Sequence, residues 1–273
     1  MLEQMRERYL TGMEDFRYAL SIVKARLGDY ALLMLLVYLP IQMVLHYQSI
    51  QLDLTVESPE LLMAQIGRFG VVELVVTLLE EVAILVVAVM TSVSIDPSLM
   101  KDRSFSTVFY HGIRMWPRAV LTLVVILLGV AASIFALSVF AMIPIIGLVV
   151  IGAVVLLVVL IVLLQSCTAT TAALRGRMGF DNIRYVFFIL RGREWKAMGT
   201  FAIISVLSML LQTGISTILS LAFSWIQQDL VQMIVSVLIA TLLSIITLYG
   251  YTVGAVLFIG AEYRKERLLT QNT

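Results

Sequence analysis

The chain holds one cysteine, Cys167. An intramolecular disulfide and a cysteine-based metal cluster are therefore excluded. Histidine is nearly as scarce, with only His46 and His111. No HExxH, GxSxG or Walker loop occurs, and no His–Cys metal arrangement. No catalytic residue, metal site or cofactor is expected, and the chain does not read as an enzyme. Charge is sparse too: 14% of residues are charged, against about 25% in a typical soluble domain. No lysine or arginine falls inside any long apolar run. No short apolar core with a small-residue cleavage site is visible near the start. The first span is therefore expected to serve as the insertion signal. No nucleic-acid partner is expected.

What fills the space is apolar. Sixty per cent of the 273 residues are hydrophobic, and the mean hydropathy is +1.00. Runs of 18 or more apolar residues recur, which marks a polytopic membrane protein. Six spans are expected, roughly 30–47, 71–93, 118–140, 145–168, 197–223 and 230–260. Pro40 should kink the first. Asp96-Pro97 should end the second. The basic residues are strongly sided. Eighteen of the nineteen fall at the N-terminus, in the 2–3 and 4–5 connections or in the tail, and Arg68 alone falls on the other side. The positive-inside rule then places both termini in the cytoplasm, and a cell-membrane location is expected.

The segment FDNIRYVFFILRGREWKAMG, residues 180–199, organises the rest. Phe180, Ile183, Phe187 and Leu190 share one helical face, and Asp181, Asn182, Arg184 and Arg191 the other. It reads as an amphipathic helix in the membrane interface that turns at Gly192 into a span. The N-terminus repeats it: Met13, Phe16, Leu20 and Val23 take the apolar positions. Arg17 answers Arg184, and Lys24 and Arg26 answer Arg191 and Arg193. A weaker third copy places Asp102, Phe109, Arg114 and Trp116 like Asp181, Phe188, Arg193 and Trp195. The fold expected is all-α, with six transmembrane helices in three hairpins, each preceded by a cytoplasmic interfacial helix. One integral membrane domain, 1–273, would contain repeat units of roughly 1–95, 96–174 and 175–273. Gly250 and Gly254 form a GxxxG suited to close helix contact.

Span two carries three acids, Glu73, Glu80 and Glu81. A carboxylate at mid-membrane costs about 2.5–3.5 kcal/mol on insertion scales. At about 1.5 Å per residue, Glu80 lies roughly 13 Å along the span. Glu73 and Glu80 share a face, and Glu81 points about 100° away. Neutral partners are available in Gln42, His46 and Gln165, and these six residues form a candidate intramembrane polar site. A second candidate is the basic collar of Arg17, Lys24, Arg26, Arg114, Trp116, Arg184, Arg191, Arg193, Trp195 and Lys196. Its expected contacts are lipid head groups or a protein partner, membrane-bound or cytoplasmic.

In residues 168–199 a small-residue run, Thr168-Ala169-Thr170-Thr171-Ala172-Ala173, precedes the loop, and Leu190, Gly192, Trp195 and Gly199 follow within it. This pattern resembles the glycerophosphoryl diester phosphodiesterase membrane-domain family and its uncharacterised six-span bacterial relatives. The family's frequent serine falls near Phe187-Phe188, where this chain departs from it. The resemblance implies six spans and a cytoplasmic amphipathic loop. The soluble phosphodiesterase fused to some relatives has no counterpart in these 273 residues.

Two functions follow from these patterns. One is a transport-like or lipid-handling bundle with an acid-lined interior, in contact with membrane lipids. The alternative is a non-catalytic scaffold or accessory subunit that docks a partner through its interfacial helices. A cavity reaching Glu80 favours the first, and a collapsed interior favours the second.

Overall fold

The computed structural model describes residues 2–51, 59–141, 144–223 and 229–271. The expected outer turns at 142–143 and 224–228, and part of the polar segment at 52–58, lie outside the described residues. Every regular element among the described residues is a helix. In order these are α1 (Leu2–Glu7), α2 (Gly12–Ala25), α3 (Leu27–Leu33), a π-helical turn (Met34–Tyr38) and α4 (Leu39–Gln51). Then come α5 (Pro59–Ile95), a 3-10 turn (Pro97–Leu99), α6 (Phe105–Ala141), α7 (Pro144–Arg175), α8 (Gly179–Leu190), α9 (Glu194–Ala222) and α10 (Asp229–Gln271). Six stretches are long and apolar enough to cross a membrane: Leu27–Tyr47, Gly70–Ile95, Phe105–Ala136, Leu156–Arg175, Glu194–Leu219 and Met233–Gln271. The protein is an all-α, multi-pass membrane protein.

Local chemistry sets the breaks between helices. Thr11 caps α2 through a capping box: its hydroxyl accepts from the Glu14 N–H while Glu14 reaches back to the Thr11 N–H. Asp96 ends α5 by accepting from the backbone N–H and hydroxyl of Ser98. Gly192, at φ 84°, makes the left-handed turn between α8 and α9. In the first span Pro40 has no N–H and crowds the preceding turn. The backbone answers with the π-helical turn at Met34–Tyr38, where Leu39 N–H reaches Met34 O. That turn buries Tyr38 and Val37.

Two spans join with segments that the sequence pattern separates from them. The stretch ahead of span two joins it as one helix, with Pro59 as the first residue of α5. The second amphipathic segment likewise runs straight through Pro117 into its span, as one helix, α6. Its side chains pack into the bundle. Val108 is fully buried, and Trp116 Nε1 donates to Leu78 O of α5 at 2.9 Å.

Helix α10 is the central member. It is 43 residues long, about 65 Å at 1.5 Å per residue, and it touches α1, α2, α4, α5, α7, α8 and α9. Gly254 permits the closest approach. A Cβ there would collide with Ser166 Oγ of α7 and meet Phe201 of α9 at 2.5 Å. Gly250 faces Ile204 of α9. The GxxxG pair thus lies at a three-helix contact.

The two free amphipathic helices bury the same register. On α2 the buried residues are Asp15, Ala19, Ile22 and Val23. On α8 they are Gly179, Asn182, Val186, Ile189 and Leu190. A shift of 167 positions maps Asp15, Ala19, Ile22 and Val23 onto Asn182, Val186, Ile189 and Leu190. Helix α2 packs on α10, and α8 packs on α6 and α7. The aromatic and aliphatic residues on the next face stay exposed: Met13 and Leu20 on α2, Phe180 and Phe187 on α8.

Candidate functional site

Helix α5 divides its acids. Glu81 is buried, 1% exposed, and accepts a hydrogen bond from Gln165 Nε2 of α7 at 2.9 Å. Glu80, one residue earlier and about 100° round the helix, lines a cavity of about 510 Å³. The cavity lies between four spans. Tyr38 and Gln42 enter from the first, Glu80 from α5, Gln212, Thr213, Ser216 and Thr217 from α9, and Ala240, Leu243, Ser244 and Thr247 from α10. No lysine, arginine or histidine among the described residues lines it. A second cavity of about 160 Å³ shares Ser216, Ala240 and Leu243 with the first. It continues along α9 and α10 past Phe223, Val235 and Ile239.

Depth follows from helix geometry. Glu80 is fifteen residues from Ile95 at the basic end of α5, or about 22 Å. Gln212 is eighteen residues from Glu194 at the start of α9, or about 27 Å. The site therefore sits beyond mid-span, on the side away from the basic residues.

The lining is rich in committed donors. Gln212 Nε2 donates to Thr247 Oγ1 at 2.9 Å. Ser244 Oγ donates to Thr241 O at 2.6 Å, and Thr217 Oγ1 to Thr213 O at 2.8 Å. Tyr38 has a buried hydroxyl without a hydrogen-bond partner.

Of the six polar residues expected at one site, the structure brings Gln42 and Glu80 to the cavity and pairs Glu81 with Gln165 outside it. Glu73 and His46 are half-buried, and neither lines the cavity. Its α9 and α10 lining, Gln212, Thr213, Ser216, Thr217, Ser244 and Thr247, adds to the set that the sequence pattern gives. The available signal is spacing: Gln212 with Ser216, and Thr213 with Thr217, stand four apart on a span.

The basic collar also divides. Arg17, Lys24, Arg114, Arg184 and Arg191 are exposed, as is Trp195 at 80%. Arg26 pairs with Asp29 at 3.1 Å and donates to Arg103 O. Arg193 lies over the Tyr9 ring at 3.9 Å. Lys196 donates to Leu10 O, and its Nζ stands 4.0 Å from Asp15 Oδ2. Nothing in the sequence pattern marks Asp15, yet it is 2% exposed, and Oδ2 accepts no hydrogen bond. Burial pushes its carboxyl up to about 6, while Lys196 and Arg193 pull it the other way. At the next contact round the bundle, Glu262 of α10 accepts from Arg175 Nε at 3.0 Å and from the Tyr185 hydroxyl at 2.6 Å. Arg175 also pairs with Glu266.

Comparison with protein-family models, with curated proteins and with solved structures found no match.

Proposed function

We propose that this membrane protein admits a small solute or a lipid head group to the cavity at Glu80. It is a transport-like or lipid-handling bundle of the cell membrane, with both termini in the cytoplasm. The observation that carries this reading is the cavity itself. A carboxylate deep in a span is costly to keep, and Glu80 lines a polar void with amides and hydroxyls from three other spans. An inert scaffold has no use for such a void, and an acid that only packs is held in this bundle as Glu81 is, against Gln165.

The test is accessibility to water. Cys167 is fully buried, so a cysteine placed at Ser216 is a clean reporter. Ser216→Cys in intact cells should react with a charged, membrane-impermeant thiol reagent added outside. A reporter fused after Thr273 should report the cytoplasm. Failure of Ser216→Cys to react from outside would refute an outward, water-filled cavity.

A further inference from the structure

The hydrogen-bonding sense of the cavity identifies the ligand chemistry that suits it. This inference rests on the cavity reading above. A hydroxyl has one proton to donate and two lone pairs to accept with. Ser244 and Thr217 give their protons to carbonyls of their own helices. Gln212 spends one amide proton on Thr247 and keeps its carbonyl oxygen. An ionised Glu80 offers only acceptor sites, and Gln42 brings a second amide oxygen with its two N–H donors, beside the unpartnered hydroxyl of Tyr38. Acceptors therefore outnumber free donors, and no lysine, arginine or histidine among the described residues lines the void to neutralise the acid. The adjoining cavity changes character, with Phe223, Val235 and Ile239 on its walls.

We propose that the cavity binds an amphiphilic primary ammonium ion, its head at Glu80 and its apolar tail along the α9–α10 extension. A primary ammonium brings the positive charge that the described lining lacks and three N–H donors for its excess of acceptors. A quaternary ammonium of equal charge has no N–H to give, and an alcohol has no charge. An anionic or zwitterionic phosphate would meet Glu80 with no basic residue among the described lining to hold it.

Three probes with one tail length separate these features: hexylammonium, hexyltrimethylammonium and hexanol. Isothermal titration is run on the full chain in lipid nanodiscs at pH 7.5, with empty nanodiscs as the blank. Hexylammonium should bind, and the other two at least tenfold more weakly. Glu80→Gln should weaken hexylammonium at least tenfold. Hexylammonium should also slow labelling of Ser216→Cys, and should lose that effect in the Glu80→Gln background. An unfolding temperature of Glu80→Gln equal to that of the parent shows that the variant is folded, and the trimethyl comparison needs no variant. Hexylammonium heats equal to the blank, or equal binding of the trimethyl probe, would overturn the proposal. Labelling of Ser216→Cys without hexylammonium binding removes the ammonium assignment and leaves the cavity reading standing. Absence of labelling removes both.

Discussion

Asp15 and Lys196 stand 4.0 Å apart, yet Lys196 gives a hydrogen bond to the Leu10 carbonyl instead. Asp15 Oδ2 is left buried without a donor. Its counterpart on α8, Asn182, donates to Thr168 O at 2.9 Å and to Thr122 Oγ1 at 3.3 Å. The same register thus buries an unpartnered oxygen in both helices, Asn182 Oδ1 and Asp15 Oδ2, but the one on α8 belongs to a neutral amide and the one on α2 to an acid.

Asp15→Asn should therefore stabilise the protein at neutral pH. An unfolded aspartate titrates near about 4, whereas burial pushes Asp15 up to about 6. The folded state holds this proton more tightly. Its contribution is complete below pH about 4 and is lost as pH rises through about 6. At about 1.4 kcal/mol per pH unit, the loss approaches about 3 kcal/mol. Thermal unfolding in detergent should show Asp15→Asn raising Tm at pH 7.5 and scarcely changing it at pH 4. Equal effects at both pH values would contradict this.

The acids of α5 should part in stability assays. Glu81→Ala leaves Gln165 Nε2 without its acceptor inside the bundle, at a cost of about 1–3 kcal/mol. Glu81→Gln retains an acceptor and should lose less. Glu80→Gln, at the cavity wall, should leave the unfolding temperature nearly unchanged. A larger drop for Glu80→Gln than for Glu81→Ala would reverse the assignment of cavity and packing roles.

Gly254→Ala should destabilise by about 1–3 kcal/mol through overpacking, because Ser166 and Phe201 occupy the space of the new methyl. Gly250→Ala meets only an Ile204 methyl, at 3.2 Å, and should cost less. Unfolding curves of the two variants give the order directly.

Glu262→Ala should cost more than Glu266→Ala. Glu262 is 2% exposed in its side chain and Glu266 46%. Loss of Glu262 takes the acceptor of the Tyr185 hydroxyl and one of the two carboxylates that Arg175 holds, at about 1–3 kcal/mol. The exposed pair contributes at most about 1 kcal/mol. Similar melting temperatures for the two variants would argue against a buried role for Glu262.

The spans are legible in the sequence because an apolar run of membrane length is rare in a water-soluble chain. Helix geometry sets Glu80 and Glu81 about 100° apart, but which of them meets the cavity depends on the packing of α7, α9 and α10 round α5. The faces of α8 are only half legible. A two-class pattern puts Phe180, Phe187 and Leu190 on one stripe. The structure buries Leu190 and leaves Phe180 and Phe187 exposed. The helix has one apolar face packed on the bundle and another exposed, and hydropathy cannot separate the two. The buried polar Asp15 and Asn182 are hidden for the same reason. The hydroxyls of the cavity are masked because Ser and Thr satisfy themselves on the preceding turn and pass unnoticed in an apolar run.

Helix α10 has no proline and no break between Asp229 and Gln271. Thr247 on the cavity wall and Glu262 in the basic-end network are fifteen residues apart, about 22 Å along one rod. Fifteen residues make four turns and about 60° more. The two ends are thus geared to a single shaft: any axial rotation that reshapes the cavity must also strain the grip of Glu262 on Arg175 and Tyr185.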